Sequence, residues 1–462
     1  MSWLRVKSIE SLLAVEEGKR LHRQLNAFDL TLFGIGCTIG TGIFVLTGVA
    51  SAQYAGPALV VSFLLAGFAC GCAALMYAEL SAMVPVAGSA YTYTYATMGE
   101  AAAWIMGWNL ILEYAVSSAA VAAGWSGYFS GILKTIGLPL PEILTKVPHD
   151  GGLINLPAIG ISMFVTVMLV LGTRESARLN AILVAIKVTA IFIFLAIAAP
   201  KINSDLWHPF MPFGFQGVSR GAAIIFFAYI GFDAVSTAAE ETKNPNRDVP
   251  IGLIGSLLVC TILYILVSGT LTGVAKYSDL NNSEPLAFAL RGLGYPWGSA
   301  LVATGAICGI TTVLLVLIFG QTRIFYVMAR DRLLPQWMVK LHPKYKTPHV
   351  VTWGTGIVVA AVSGFVPLQE IAELSNIGTL FAFVLVSFGV MILRGTRPEQ
   401  NRPFRCPAAF VIGPAAVLSC VYLMVSLPAM TWLRFLIWTV IGVVVYAYYG
   451  YRKSPLHPTN GV

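Results

Sequence analysis

In the middle of its first long apolar segment, the sequence reads Gly34-Ile35-Gly36-Cys37-Thr38-Ile39-Gly40-Thr41-Gly42-Ile43-Phe44. Glycine destabilises a helix by about 0.5–1 kcal/mol relative to alanine, and an unwound turn in hydrocarbon leaves backbone groups that no water can satisfy. Such a break is expected where its amides attract an anion and its carbonyls a cation. Residues 39–42 are therefore a candidate receptor for a carboxylate. The alternative is that the glycines only allow close helix packing.

The composition is that of a membrane protein with many spans. Hydrophobic residues make up 57% of the 462 residues and charged residues 11%, with a mean hydropathy of +0.77. A soluble core with a charged surface cannot be built from these proportions. Residues 1–26 are polar and charged, so we interpret them as a cytoplasmic arm rather than a signal peptide. The seven cysteines show no metal-ligand spacing.

Twelve apolar runs have about the length of a membrane span. They are 27–52, 57–81, 99–131, 154–172, 178–199, 217–240, 249–274, 296–328, 348–366, 369–393, 406–428 and 431–451. This topology assigns 21 Lys and Arg residues to the side of the N-terminus and 6 to the other. The excess predicts cytoplasmic termini in a multi-pass plasma-membrane protein. It also explains the net charge of +8 without a nucleic-acid partner.

A second break is predicted in the sixth span, where Gly231 is followed by Asp233 deep in an apolar run. An acid at the start of a resumed half-helix is partly stabilised by the helix dipole. Breaks in the first and sixth of twelve spans fit two five-helix repeats of inverted topology, with the substrate at the midplane between them. The predicted units are the arm 1–26, the repeats 27–199 and 217–393, two extra helices in 406–451 and a cytoplasmic tail 452–462.

Ionisable residues inside spans each cost about 2.5–3.5 kcal/mol on insertion scales, so they indicate a partner or a task. Lys187 lies about nine residues into the fifth span. It is interpreted as a buried amine that exchanges a proton during transport, or alternatively as a side chain that reaches the interface. Glu113 lies in the third span and either faces the substrate or makes a hydrogen bond between helices. Glu79 ends the second span and is expected at the interface.

The sequence offers no catalytic arrangement. Neither HExxH nor GxSxG occurs, and the glycine-rich stretch lacks the Lys-Ser/Thr of a phosphate loop. We therefore expect no enzyme activity, no cofactor, no metal site and no nucleotide-driven pump.

Several long motifs, in the correct order over nearly the whole chain, resemble the amino acid-polyamine-organocation superfamily and, within it, the cationic amino acid transporter family. They are Leu25-Asn26-Ala27-Phe28-Asp29-Leu30, the glycine break, Ala55-Gly56-Pro57-Ala58, Tyr77-Ala78-Glu79-Leu80, Pro85-Val86-Ala87-Gly88-Ser89-Ala90-Tyr91, Gly107-Trp108 to Tyr114, the sixth span through Pro245, Gly320-Gln321-Thr322-Arg323 and Ile377-Gly378-Thr379-Leu380-Phe381-Ala382-Phe383.

This resemblance implies the LeuT-type fold. The Gly40-Thr41-Gly42 turn would hold the substrate carboxylate, and carbonyls of the sixth-span turn would hold its amine. Two features depart from the family pattern. Arg332 stands where the family's loop after span eight usually has a glycine, so the backbone geometry of that turn is open. The chain also ends after twelve spans, like the bacterial branch, so cationic specificity does not follow from the family name.

The resemblance also implies a role for Lys187. It puts the ammonium where sodium-coupled relatives of this fold hold a cation between the first and eighth spans. There it would pair with carbonyls near residues 36–39 while charged and release them when neutral.

Together these observations predict secondary active uptake of small neutral L-amino acids, with cationic ones left open, by proton-coupled alternating access in the lipid bilayer. A sodium-coupled carrier, an amino acid/polyamine exchanger and a transporter-like receptor remain alternatives, and no partner subunit is indicated. A bulky residue at Gly42 is expected to block the ligand while the protein stays folded. The predicted substrate site comprises Ile39, Thr41, Gly42, Glu113, Phe227, Ala228 and Ile230, with Lys187 as the proton-coupling residue.

Overall fold

The computed structural model describes residues 24–85, 89–172 and 177–454, without the side chains of 177–180 and 240. Within these ranges the chain is helical and contains no β-strand; Leu25 and Thr242 form an isolated parallel bridge. Most of the predicted arm 1–26 and tail 452–462 lies outside the described residues.

The α-helices are numbered in chain order. They are α1 (Ala27–Thr38), α2 (Thr47–Ala50), α3 (Leu59–Met83), α4 (Ser89–Thr97), α5 (Glu100–Thr135), α6 (Leu156–Val170), α7 (Ala177–Ala198), α8 (Gly214–Ile225), α9 (Pro245–Val274), α10 (Pro285–Gly292), α11 (Pro296–Arg330), α12 (His349–Phe365), α13 (Leu368–Thr396), α14 (Ala409–Val425), α15 (Ala429–Val445) and α16 (Tyr451–Lys453). Short 3₁₀ and π segments connect several of them.

Eight helical segments in the described part of the chain are long and apolar enough to cross a membrane. They are Gly42–Met83, Glu100–Thr135, Ala181–Lys201, Gly214–Ala239, Pro245–Val274, Pro296–Arg330, Leu368–Thr396 and Ala429–Lys453. Four shorter apolar helices, α1, α6, α12 and α14, accompany them. The fold is therefore all-helical with several spanning segments, whereas the count of twelve spans stays a prediction.

Local sequence signals explain where α1 begins and where the chain turns after it. The Asn26 side chain accepts the amides of Phe28 and Asp29, and the Asp29 carboxylate accepts the Asn26 amide, so the helix starts with a capping box. Gly56 adopts a φ of +60° and is followed by Pro57, and this pair separates the π turn Ser51–Ala55 from α3.

Arg332 occupies the turn whose geometry the sequence left in question. Its φ is +59°, the left-handed conformation that glycine adopts without a steric penalty. The turn is therefore left-handed even with a long side chain in place of the family's glycine.

Glu79 is buried within the protein, and its position relative to the membrane interface stays a prediction. Its carboxylate accepts two hydrogen bonds from Arg394, at 2.9 and 2.5 Å, and lies 3.3 Å from Nε of Arg402. The backbone amide of Cys406 donates to it at 2.8 Å. In a sequence, a charge at the end of a span indicates an interfacial residue. The arginines that bury Glu79 come from a distant part of the chain, so the residues next to Glu79 give no sign of them. These contacts join α3 to α13 and to the segment before α14.

Candidate functional site

The first helix break lies within the predicted glycine stretch. Helix α1 ends at Thr38, Ile39 is extended (φ −75°, ψ 102°), and the helical backbone resumes with the π turn Gly42–Leu46. The first amides of a resumed helix have no acceptor within it, and they carry the positive end of its dipole. This break can therefore present free amide groups to an anion.

The second break lies between two 3₁₀ segments, Phe226–Tyr229 and Phe232–Glu241. Ile230 is extended, and Gly231 is left-handed with a φ of +109°. A Cβ atom on Gly231 would lie 2.7 Å from the carbonyl oxygen of Cys37. Glycine is needed here both for its backbone conformation and for the close approach of the first break.

The two breaks contact each other directly. A Cβ atom on Gly42 would lie 2.3 Å from the Cα atom of Ala228, so no side chain fits at this position without separating them. The hydroxyl of Tyr264 on α9 lies 3.1 Å from the carbonyl oxygen of Thr38 and 2.7 Å from that of Ala228. Tyr264 therefore bridges the two breaks. Sequence reasoning missed it, although it is the only tyrosine in the seventh apolar run.

The expected effect of a bulky residue at Gly42 needs a correction. The space for a side chain at Gly42 is filled by Ala228, so a valine there would push the two breaks apart as well as obstruct a ligand. An intact fold cannot be assumed for such a variant.

A small cavity lies beside the second break and leaves about 10 Å³ for the centre of a water molecule. It has room for about one water. The residues that line it come from both breaks, α5 and α11. They are Cys37, Glu113, Tyr114, Ile230, Gly231, Asp233, Ala234, Val316 and Leu317.

Two buried carboxylates face this cavity. Glu113 is 3% exposed and Asp233 is 5% exposed. Asp233 is hydrogen-bonded to backbone groups at the start of the second 3₁₀ segment, whereas Oε2 of Glu113 has no hydrogen-bond partner among the described residues. The sequence drew attention to Asp233 because it follows the break, but the predicted substrate site did not include it.

Lys187 is fully buried and joins the first break to α11. Its ammonium donates to the carbonyl oxygens of Gly36 at 2.6 Å and Ile39 at 3.1 Å. It also contacts the Gly309 carbonyl at 3.4 Å and the Thr312 hydroxyl at 3.1 Å. A lysine ammonium has three protons, so these four oxygens share them. The arrangement resembles the oxygen shell of a bound cation.

The remaining predicted residues take separate positions around the breaks. Thr41 lies against α5. A Cβ atom on Gly124 of that helix would lie 2.4 Å from the methyl group of Thr41. Phe227 is buried in the first 3₁₀ segment, and its carbonyl accepts the amide of Ile230. Glu113 and Ile230 are the two predicted substrate residues that share the cavity. The described residues contain no group of three or more side chains suited to a metal ion.

Comparisons with known proteins match nearly the whole chain. The amino acid permease family matches residues 25–450. The chain is 50% identical over 462 residues to the branched-chain amino acid permease BcaP of Bacillus subtilis and 47% identical over 458 residues to the methylthioribose transporter of the same organism; each alignment covers 99% of both chains. It is 37% identical over 412 residues to the vacuolar cationic amino acid transporter 4 of Arabidopsis thaliana, covering 86% of this chain and 68% of that protein.

Proposed function

Because the chain belongs to the amino acid permease family, we propose that it takes up L-amino acids by proton-coupled alternating access. It is a multi-pass membrane transporter and not an enzyme. The observation that carries the proposal is the contact between the two helix breaks beside a buried cavity. Backbone amides and carbonyls released by unwinding are available there to bind the two groups that every amino acid shares.

The substrate carboxylate is assigned to the amides of Thr41 and Gly42, and its amine to carbonyls of the second break near Phe227 and Ala228. Each of these two carbonyls already accepts one hydrogen bond and has a second lone pair for the amine. The start of a helix favours an anion through its free amides and its dipole. Carbonyls at the end of a half-helix favour a cation by the same electrostatics. A Cβ atom on Gly42 would lie 2.3 Å from the Cα atom of Ala228. This close contact supports the assignment, because the residues that would bind the carboxylate and those that would bind the amine then lie side by side.

The side chain of the substrate is assigned to the place of the cavity beside Ile230, which has room for about one water in this structure and would have to widen to admit it. Aliphatic groups of Ile230, Val316 and Leu317 line it, which favours an aliphatic side chain. The similarity to a branched-chain amino acid permease supports leucine, isoleucine and valine as first candidates. Glu113 faces the same cavity and provides a charge that would suit a cationic side chain.

Proton coupling is assigned to Lys187. Its contacts with two carbonyls of the first break and two oxygens of α11 support this role, since the charged form holds these elements together and the neutral form lacks that attraction. One proton exchanged per cycle is the simplest scheme. Uptake should then rise as the external pH falls.

The architecture proposed for this cycle has twelve spans, two inverted repeats over 27–199 and 217–393, and two further helices over 406–451. Breaks in equivalent positions of the two repeats support it. The distribution of Lys and Arg supports a plasma-membrane protein with both termini in the cytoplasm.

Uptake of labelled amino acids into proteoliposomes tests the proposal. With an acid exterior and no sodium, we expect accumulation of branched-chain amino acids above the external concentration, unchanged when sodium replaces potassium or choline. Alanine, arginine and methylthioribose belong in the same screen.

Each alternative gives a different result in this assay. A sodium requirement would indicate a sodium-coupled carrier, and uptake only into vesicles preloaded with amino acid or polyamine would indicate an exchanger. Binding without any uptake would indicate a receptor. Accumulation of methylthioribose but of no amino acid would overturn the substrate class.

A further inference from the structure

An open groove of about 470 Å³ lies on the surface of the helix bundle and shares no lining residue with the cavity. One wall is the N-terminal part of α9, and the other is the segment between α13 and α14. The lining residues are Asn246, Arg247, Pro250, Ile251, Ile254, Gly255, Pro403 and Phe404. Its size is in the range of small-ligand sites, and it plays no part in the proposed transport mechanism.

The α9 wall is polar at one end and apolar along the rest. Arg247, Pro250, Ile251 and Ile254 follow the i, i+3, i+4, i+7 spacing of one helix face. At 1.5 Å per residue, Arg247 and Ile254 are about 10 Å apart along the helix axis. This order of a charged end and an apolar stretch matches a phospholipid, in which a charged headgroup is followed by acyl chains.

The charge at the polar end favours an anionic headgroup. Arg247 is exposed, and it is not part of any ion pair found among the described residues. Arg405, beside Phe404, is exposed as well, and no carboxylate is among the lining residues. A guanidinium can bind a phosphate through two parallel hydrogen bonds.

A proline in the wall adds an acceptor for a headgroup hydroxyl. Pro250 lies inside α9 and has no N–H, so the carbonyl of Asn246 loses its usual helical donor. The Asn246 side chain provides a further polar group at the same end of the groove. A headgroup with both a phosphate and free hydroxyls satisfies the arginine and these acceptors together.

We propose that this groove binds phosphatidylglycerol, with its phosphate on Arg247 and an acyl chain between Ile254 and Phe404. The groove backs onto α1, because a Cβ atom on Gly255 would lie 3.3 Å from Oγ1 of Thr31. A bound lipid therefore packs behind the half-helix that ends at the first break. If the proposed transport function holds, the lipid will change the transport rate through α1.

Lipid binding itself is tested by native mass spectrometry of the purified full-length protein, mixed with equal amounts of phosphatidylglycerol and phosphatidylcholine. Arg247→Gln should lower the preference for phosphatidylglycerol about fivefold, since one basic residue near an anionic surface contributes about that much. Arg247→Lys should keep most of it. Ile254→Trp fills the apolar part and should reduce the binding of both lipids. Lys340→Gln removes an exposed charge from the loop after α11 and is the matched control.

Four outcomes would overturn the proposal. They are an unchanged preference in Arg247→Gln, an equal loss in Lys340→Gln, displacement of the lipid by excess inorganic phosphate, and a copurifying polypeptide that occupies the groove in place of lipid. The binding assay requires no transport activity. Failure of the lipid site and failure of the proposed transport function are therefore distinguishable.

Discussion

Lys187 is a buried residue whose ammonium contacts backbone carbonyl oxygens and a hydroxyl. Its four oxygen contacts come from α11 and from the stretch that ends α1. Oxygen dipoles of this kind replace part of the hydration that a buried ammonium loses. When the ammonium loses a proton, its electrostatic attraction for these oxygens is lost. A titratable cation at this point is suited to couple protonation to movement of the first helix.

Lys187→Ala is expected to lose pH-driven accumulation. The variant cannot take up or release a proton at this position, so uptake should reach equilibrium but not exceed it. Uptake into proteoliposomes with an acid exterior measures this, and exchange of labelled for unlabelled substrate shows whether the site still binds. Undiminished pH-driven accumulation in the variant, or sodium dependence of the unchanged protein, would contradict the role of Lys187.

Glu113→Gln is expected to lower the binding of arginine relative to alanine by about tenfold or more, because a buried carboxylate in the substrate cavity would lose its attraction for a cationic side chain. Competition with a labelled substrate measures the ratio. Glu373→Gln is the matched control: Glu373 is also a buried carboxylate, but it accepts a hydrogen bond from Thr431 and does not line the cavity. An unchanged ratio in Glu113→Gln would make Glu113 a structural residue.

At the scale of elements, the two helix breaks behave as one structural unit. Each break has a glycine that allows close approach: Gly42 faces Ala228, and Gly231 faces Cys37. Tyr264 supplies a hydroxyl to carbonyls of both. Movement of one half-helix is therefore expected to disturb the other, which is the coupling that the proposed alternating access requires.

Gly42→Ala is expected to destabilise the protein by about 1–3 kcal/mol and to abolish substrate binding, because the new methyl group overlaps the backbone of Ala228. Gly269→Ala, on α9 and outside both breaks, is the matched control. Its Cβ would lie 3.6 Å from a methyl group of Val60, which is an ordinary van der Waals contact. Thermal unfolding and substrate binding measure the two effects. If Gly42→Ala bound substrate as tightly as the unchanged protein, the site would not lie at the contact between the breaks.

At the scale of the whole molecule, Glu79 connects parts of the chain that the proposed architecture assigns to different units. Glu79 lies in the first predicted repeat, Arg394 just beyond the second, and Cys406 at the start of the additional helices. Removing one partner of a buried ion pair leaves the other charge without compensation. The contacts of Glu79 with Arg394 and Cys406 therefore hold these units together within the protein interior, unlike an ion pair on the surface.

Glu79→Gln is expected to lower the free energy of unfolding by about 3–5 kcal/mol, the usual effect of breaking a buried ion pair. Thermal unfolding in detergent measures the change. Glu142→Gln is the control, because Glu142 is exposed and pairs only with Lys146 within the described residues. Equal, small shifts in both variants would contradict the structural role of Glu79.

The sequence by itself determined the helical membrane class, the family resemblance and the positions of both breaks. These features are local: a span is a run of apolar residues, and a break is a glycine or an acid within such a run. Gly231 and Ile39 could be located in this way because their neighbours in the sequence already mark them. The left-handed turn at Arg332 was open to doubt, because an arginine gives no local signal for a positive φ.

Only the tertiary structure decided which of these residues meet. Glu113 and Asp233 share a cavity, Tyr264 bridges the breaks, and Gly42 packs on Ala228. The buried state of Glu79 depends on Arg394, 315 positions further along the chain. Hydrophobic periodicity reports the faces of single helices and contains no information about such distant partners. The packing of the helices decides which distant residues become partners. Backbone groups released by unwinding must find partners within the bundle, because no water is available there.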